Sequence, residues 1–135
     1  MKRAWIIPLI ALLLLVGCSG QRVLPPEDAE AFAVQVDAMS ENLLTALSNQ
    51  DYAAYVRDMD AQMLAVSTEE QFPQLYTGII GVIGAYESRE MTQVIEQGDY
   101  RAVIYSADFA NEEDVTVRVV YDVSGETSLI SGLWF

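Results

Sequence analysis

Residues 100–123 read Tyr-Arg-Ala-Val-Ile-Tyr-Ser-Ala-Asp-Phe-Ala-Asn-Glu-Glu-Asp-Val-Thr-Val-Arg-Val-Val-Tyr-Asp-Val, and this stretch decides the fold class. Val103, Tyr105, Ala107 and Phe109 recur at every second position, as do Val115, Val117, Val119 and Tyr121. A period of two places each set on one face of a strand. Asn111-Glu112-Glu113-Asp114 between them reads as a turn, so the two strands form an antiparallel pair. The pattern extends both ways. Tyr86–Ile95 is a strand candidate joined to the first through Gln97-Gly98-Asp99, and Ser128–Phe135 follows a turn at Ser124-Gly125-Glu126. Four strands with short connections predict an antiparallel meander.

The chain upstream is helical in pattern. Between Glu27 and Asn49, Phe32, Val36, Met39, Leu43 and Leu47 recur at steps of three and four. Glu27, Asp28 and Glu30 occupy the first turn, where negative charge suits the helix dipole. A second helix is expected from Asp51 to Ala65, with Tyr52, Tyr55, Met59, Met63 and Leu64 as its apolar set. A third is expected from Thr68 to Ile83, irregular near Pro73, with Gly78, Gly81 and Gly84 allowing close packing on a neighbour. Helices first and strands afterwards predict an α+β domain, with helices packed on one face of a four-stranded sheet.

The start of the chain carries an address. Lys2 and Arg3 precede an uncharged run, Ala4–Val16, which is too short for the roughly 20 residues of a membrane-spanning helix. Such a run behind a positive start is a secretory signal. It ends Leu15-Val16-Gly17-Cys18, which resembles the lipobox of bacterial lipoproteins. The resemblance implies cleavage before Cys18, lipid on that residue, and an extracytoplasmic protein held at the cell membrane or outer membrane. Residues 1–17 are thus expected as signal, 18–26 as lipidated cysteine and tether, and 27–135 as one domain. Each buried CH₂ of lipid contributes about 0.8 kcal/mol, and the two or three acyl chains that the resemblance implies make the anchor durable.

Composition excludes several functions. Lys2 and Arg3 leave with the signal, so the remaining 118 residues hold 5 basic and 20 acidic side chains, a charge of −15. A surface this acidic repels phosphates, which argues against nucleic acid as a partner. It also repels anionic headgroups, so attachment falls to the lipid on Cys18. There is no histidine, and Cys18 is the only cysteine. Ser-His-Asp and Cys-His nucleophiles and Cys/His zinc sites are therefore excluded. Asp58-x-Asp60 and Glu112-Glu113-Asp114 lack the alternating ligands and central glycine of a calcium loop, so no metal and no cofactor is expected.

Several segments together resemble a bacterial domain-of-unknown-function family, number 3887. They are Asn42–Tyr52, Asp58-Met59-Asp60, Gly84-Ala85-Tyr86, Val115–Tyr121 and the ending Ile130-Ser131-Gly132-Leu133-Trp134-Phe135. The resemblance covers about residues 35–135. That family is similar to the nuclear-transport-factor-2-like superfamily, which implies a cone of helices on a curved antiparallel sheet with a pocket inside. Tyr52, Tyr55, Met59, Tyr76 and Tyr86, with Met63, are the residues expected to reach such a pocket. The family carries no established activity, so it assigns no catalytic residue.

The leading expectation is a lipid-anchored module that binds a small apolar ligand, a peptide or a protein partner. The alternative is a small lyase or isomerase using a tyrosine and one carboxylate base, with Asp58, Asp60 and Asp108 as the bases to test. A third reading is a structural domain that forms a homodimer through its open sheet face. Arg89, Arg101 and Arg118 fall on predicted strands, where they either pair with acidic neighbours or form an anion site.

Overall fold

A computed structural model describes residues 20–135; the signal at 1–17 and Cys18 lie outside the described residues. The chain runs β1 (Gln21–Val23), α1 (Pro26–Ser48), α2 (Tyr52–Tyr55), α3 (Ala61–Val66), α4 (Phe72–Gly78), α5 (Ile80–Ile83), β2 (Tyr86–Gln97), β3 (Tyr100–Phe109), β4 (Glu112–Asp122) and β5 (Leu129–Trp134). The five strands form one curved antiparallel sheet in the order β1-β2-β3-β4-β5. The α+β class holds, with five strands where four were expected. The extra strand lies in the presumed tether: Gln21, Arg22 and Val23 pair with Gln97, Glu96 and Ile95. Leu24 is buried just beyond them. Two prolines mask this strand in the sequence. Pro26 instead starts α1, where a missing N–H costs nothing.

α1 lies on the inner sheet face. Its buried stripe is Phe32, Val36, Ser40, Leu43 and Leu47, so Ser40 occupies the place expected of Met39. Facing it are Val94 from β2, Val103, Tyr105, Ala107 and Phe109 from β3, Val117, Val119 and Tyr121 from β4, and Ile130 from β5. The alternation that defined β3 and β4 therefore maps directly onto the core. The turn between them is tighter than expected. Glu112 pairs with Phe109, and Val115 with Ala107, so the acidic run begins β4 and includes a bulge. Asp114 adopts a φ of 55° there, and its N–H donates to the Asp108 carboxylate at 3.0 Å.

The second and third helices are each broken. The segment after α2 leaves the helix to meet β5: Ile130 N–H donates to Asp58 O at 2.7 Å, and Asp60 N–H to Ile130 O at 2.8 Å. Met59 is buried by this excursion. The Asp60 carboxylate then accepts from Met63 N–H at 2.8 Å and caps α3. The expected start of the third helix, Thr68, makes a turn ahead of α4, and the helix proper begins beside Pro73. It breaks again at Ile79.

The glycines behave differently from their even spacing. A Cβ at Gly78 would meet nothing within 4 Å, and one at Gly81 would make only ordinary contacts at 3.9 Å. Neither supports close packing on a neighbour. Gly81→Ala should therefore raise stability by about 0.5–1 kcal/mol through helix propensity. The expected readout is a higher urea midpoint with an unchanged slope.

Candidate functional site

Two places in the domain gather chemistry. The larger concavity is a half-open groove of about 370 Å³ beside α4, lined by Tyr55, Val66, Ser67, Thr68, Gln71, Phe72, Gln74 and Leu75. Its floor is aromatic: the rings of Tyr55 and Phe72 lie 4.9 Å apart, and Tyr52 meets Phe72 edge-on at 5.5 Å. Tyr52 donates its hydroxyl to the Ser67 carbonyl at 2.8 Å, tying α2 to the turn that forms the groove wall. The rim is uncharged, made of hydroxyls and side-chain amides.

Of the residues expected to share a pocket, Tyr55 alone lines this groove. Tyr52 stands behind it, next to Phe72. Met59 is in the core under β5, while Tyr76 and Met63 pack partly buried against that core. Tyr86 is distant, stacked edge-on to Phe109. The groove arises from the Ser67–Gln71 turn and from α4, segments that carry no tyrosine signature.

The second place lies between α1 and the inner sheet face. Ser40 Oγ sits 2.7 Å from the Tyr105 hydroxyl and 2.5 Å from that of Tyr121, all three groups being buried. Next to this trio, Arg89 is a clasp. Its guanidinium donates to Asp37 Oδ1 at 2.5 Å, to the Asp37 carbonyl at 3.0 Å, to the Tyr86 hydroxyl at 2.7 Å, and to Glu41. It also lies 5.1 Å over the Tyr105 ring. The Arg89 side chain is 6% exposed, whereas Asp37 and Glu41 are 69% and 53% exposed, so water screens much of the ionic attraction. Burial opposes the Arg89 charge, the phenols of Tyr86 and Tyr105 favour it, and the net shift is upward.

Asp37, Glu41 and Ser40 escaped the sequence reading. The available signal was a serine inside an apolar stripe, flanked by two acids one helical turn apart. The remaining arginines divide. Arg101 pairs with Glu96 at 2.9 Å, as pairing predicts, and lies 4.9 Å over the Phe32 ring. Arg118 lies over Trp134 with no acidic partner among the described residues.

The three carboxylates considered as bases are each held in structural bonds. Asp58 pairs with Arg57 at 2.9 Å, Asp60 caps α3, and Asp108 accepts from the bulged Asp114. None lines the groove. Among the described residues no three His, Cys, Asp or Glu side chains converge as a metal set.

The profile of a family described as "Protein of unknown function (DUF3887)" matches residues 40–128, two thirds of the sequence. The chain belongs to the DUF3887 family. No curated protein matches it significantly. The DUF3887 match begins at Ser40, the hinge of the hydroxyl trio, and ends at Ser128, just before β5. It therefore spans the groove, the Arg89 side of the clasp and three complete strands.

Burial also raises the titration of three phenols in this DUF3887 domain, those of Tyr55, Tyr86 and Tyr121. Desolvation pushes Tyr55 up to about 12. It raises Tyr121 further, against the hydrogen bond from Ser40. A phenol with a raised folded pKa contributes stability that is complete below its unfolded value near 10 and is lost as pH climbs through the folded value. Ultraviolet titration of the tyrosines should accordingly show Tyr55 and Tyr121 ionising late, with Tyr86 also shifted upward. Unfolding should set in above about pH 10. If all seven phenols titrate together near pH 10 in the folded protein, Tyr55 and Tyr121 are not buried as described.

Proposed function

We propose that this protein is a lipid-anchored extracytoplasmic binding module, held at the membrane by acyl chains on Cys18, whose groove beside α4 takes a short apolar peptide or a ligand of similar character. The anchor rests on the sequence Leu15-Val16-Gly17-Cys18 behind its positive start. The helices followed by a four-stranded meander, with β1 added at its edge from before α1, support reading the fold as a nuclear-transport-factor-2-like cone. The observation that carries the binding reading is the groove itself: an apolar floor of Tyr55, Phe72 and Leu75 under an uncharged rim of Ser67, Thr68, Gln71 and Gln74. Binding sites combine mostly apolar walls with a few polar groups that fix orientation. Hydroxyls and side-chain amides suit the N–H and C=O groups of a peptide backbone.

Mass spectrometry of the protein purified from its own membrane tests both halves. The expected species starts at Cys18, carries acyl chains, and brings a peptide or apolar molecule that Leu75→Arg loses. Cys18→Ser should abolish the acylation and leave the groove intact. An intact signal on unmodified Cys18 overturns the anchor. Absence of any co-purifying species, together with unmoved NMR signals of Tyr55, Gln71 and Leu75 on titration with apolar peptides, overturns the groove.

A further inference from the structure

The outer face of the sheet, opposite the helices, is neither bare nor uniformly polar. A cleft of about 190 Å³ lies there, with Tyr100, Ala102, Arg118, Val120 and Trp134 in its lining. Register explains the grouping. Arg118 stands opposite Ile104 on β3 and Trp134 on β5, and Val120 stands opposite Ala102 and Gly132. Gly132 seats the indole. A Cβ at that position would fall 2.2 Å from the Trp134 ring, so only glycine lets the ring lie against the strand.

Arg118 is chemically out of place. Among the described residues, Arg22, Arg57, Arg89 and Arg101 each meet a carboxylate within salt-bridge distance, and Arg118 does not. Its guanidinium rests 5.7 Å from the Trp134 ring centroid, and its buried Nε has no hydrogen-bond partner. A buried donor left without a partner is destabilising. The acidic groups of this face stand at its ends. Asp122 lies at one end, bonded to Ser124, and Glu90, Asp108 and Asp114 gather toward the other, where Asp114 N–H donates to the Asp108 carboxylate. The middle therefore holds one uncompensated cation among aromatic and aliphatic walls.

We infer that this cleft is a second binding site, independent of the groove, for a small monocarboxylic acid with an aromatic or aliphatic body. The planar guanidinium presents a fork that matches a carboxylate, and its two terminal nitrogens, which meet no carboxylate among the described residues, are the tines. Trp134 and Tyr100 offer flat surfaces for the carbon body. A monoanion suits a domain of charge −15 better than a phosphate dianion, which that field repels twice as strongly.

Full-length protein carrying Trp5→Phe, in non-ionic detergent, leaves Trp134 as the only indole. Titration with 3-phenylpropionate should change Trp134 emission saturably, while the neutral 3-phenylpropanamide should bind at least tenfold more weakly. Arg118→Gln should reduce the acid to the level of the amide, and Gly132→Ala, which displaces the indole, should weaken both. Equal binding of acid and amide to the unsubstituted cleft overturns the proposal whether or not the variants fold. So does emission that tracks protein concentration, with a dimer in sedimentation and no response to the acid, which would give the face to a second copy of the chain.

Discussion

Gly84→Ala should be among the most damaging single substitutions in the domain. Gly84 joins α5 to β2 with φ 89° and ψ 179°, a conformation essentially reserved for glycine. A Cβ there would lie 2.9 Å from both the Ala110 Cβ and the Asn111 nitrogen. The clash cannot relax easily, because the β3–β4 turn is bonded to this very segment. Asn111 N–H donates to Ile83 O, and Ala110 N–H to Ala85 O, each at 2.9 Å. Backbone strain of about 1–3 kcal/mol adds to overpacking of about 1–3 kcal/mol. Against a domain stability of roughly 5–15 kcal/mol, the loss should be visible as a thermal midpoint lower by about 10 °C or more. A midpoint within two degrees of the parent, by an order-of-magnitude conversion under about 1 kcal/mol, would show that the loop adapts and that the junction is not rigid.

Ser40 provides the second large effect, by a different route. Its hydroxyl is the shared partner of Tyr105 and Tyr121, and all three residues are in the core. Ser40→Ala removes one oxygen and strands two phenols, each costing about 1–3 kcal/mol when unsatisfied. A total of about 2–5 kcal/mol is expected in urea unfolding. The decisive comparison is with the triple variant Ser40→Ala, Tyr105→Phe, Tyr121→Phe. Removing every polar member of a network is close to neutral, so the triple should recover most of what the single variant loses. If instead the losses simply add, the three hydroxyls act separately and the trio is not a network.

The sequence was most legible where one periodicity governed a whole element. β3 and β4 alternate cleanly because one side of each packs on the core, and α1 repeats cleanly for the same reason. It was least legible where a distant partner decides the local structure. Met59 leaves its helix because Ile130, far along the chain, supplies the backbone bonds on either side of it. β1 is three residues long, and only its pairing with Ile95–Gln97 makes it a strand. The site was harder still. A tyrosine combines an aromatic body with a polar tip and so suits core and pocket alike: Tyr86 serves the clasp and only Tyr55 of the expected set reaches the groove. Turn residues such as Ser67, Thr68 and Gln71 gave no comparable signal, and Asp37 and Arg89 meet across 52 positions of sequence.

The shortness of β1 bears on how copies of this protein meet one another. β1 covers only Ile95–Gln97, so among the described residues most of β2, from Tyr86 onwards, has a strand neighbour on one side alone. An open edge is a template on which another chain can add, and the lipid anchor proposed above would confine neighbours to two dimensions. The exposed Glu87 and Glu90 place charges along that edge, and a register shift between Met91 and Gln93 bends it. Both features obstruct edge-to-edge growth. β2 is therefore built to resist edge-to-edge addition, and replacing Glu87 and Glu90 with valine should speed fibre growth, read as thioflavin fluorescence, with no change from the parent showing that these charges do not guard the edge.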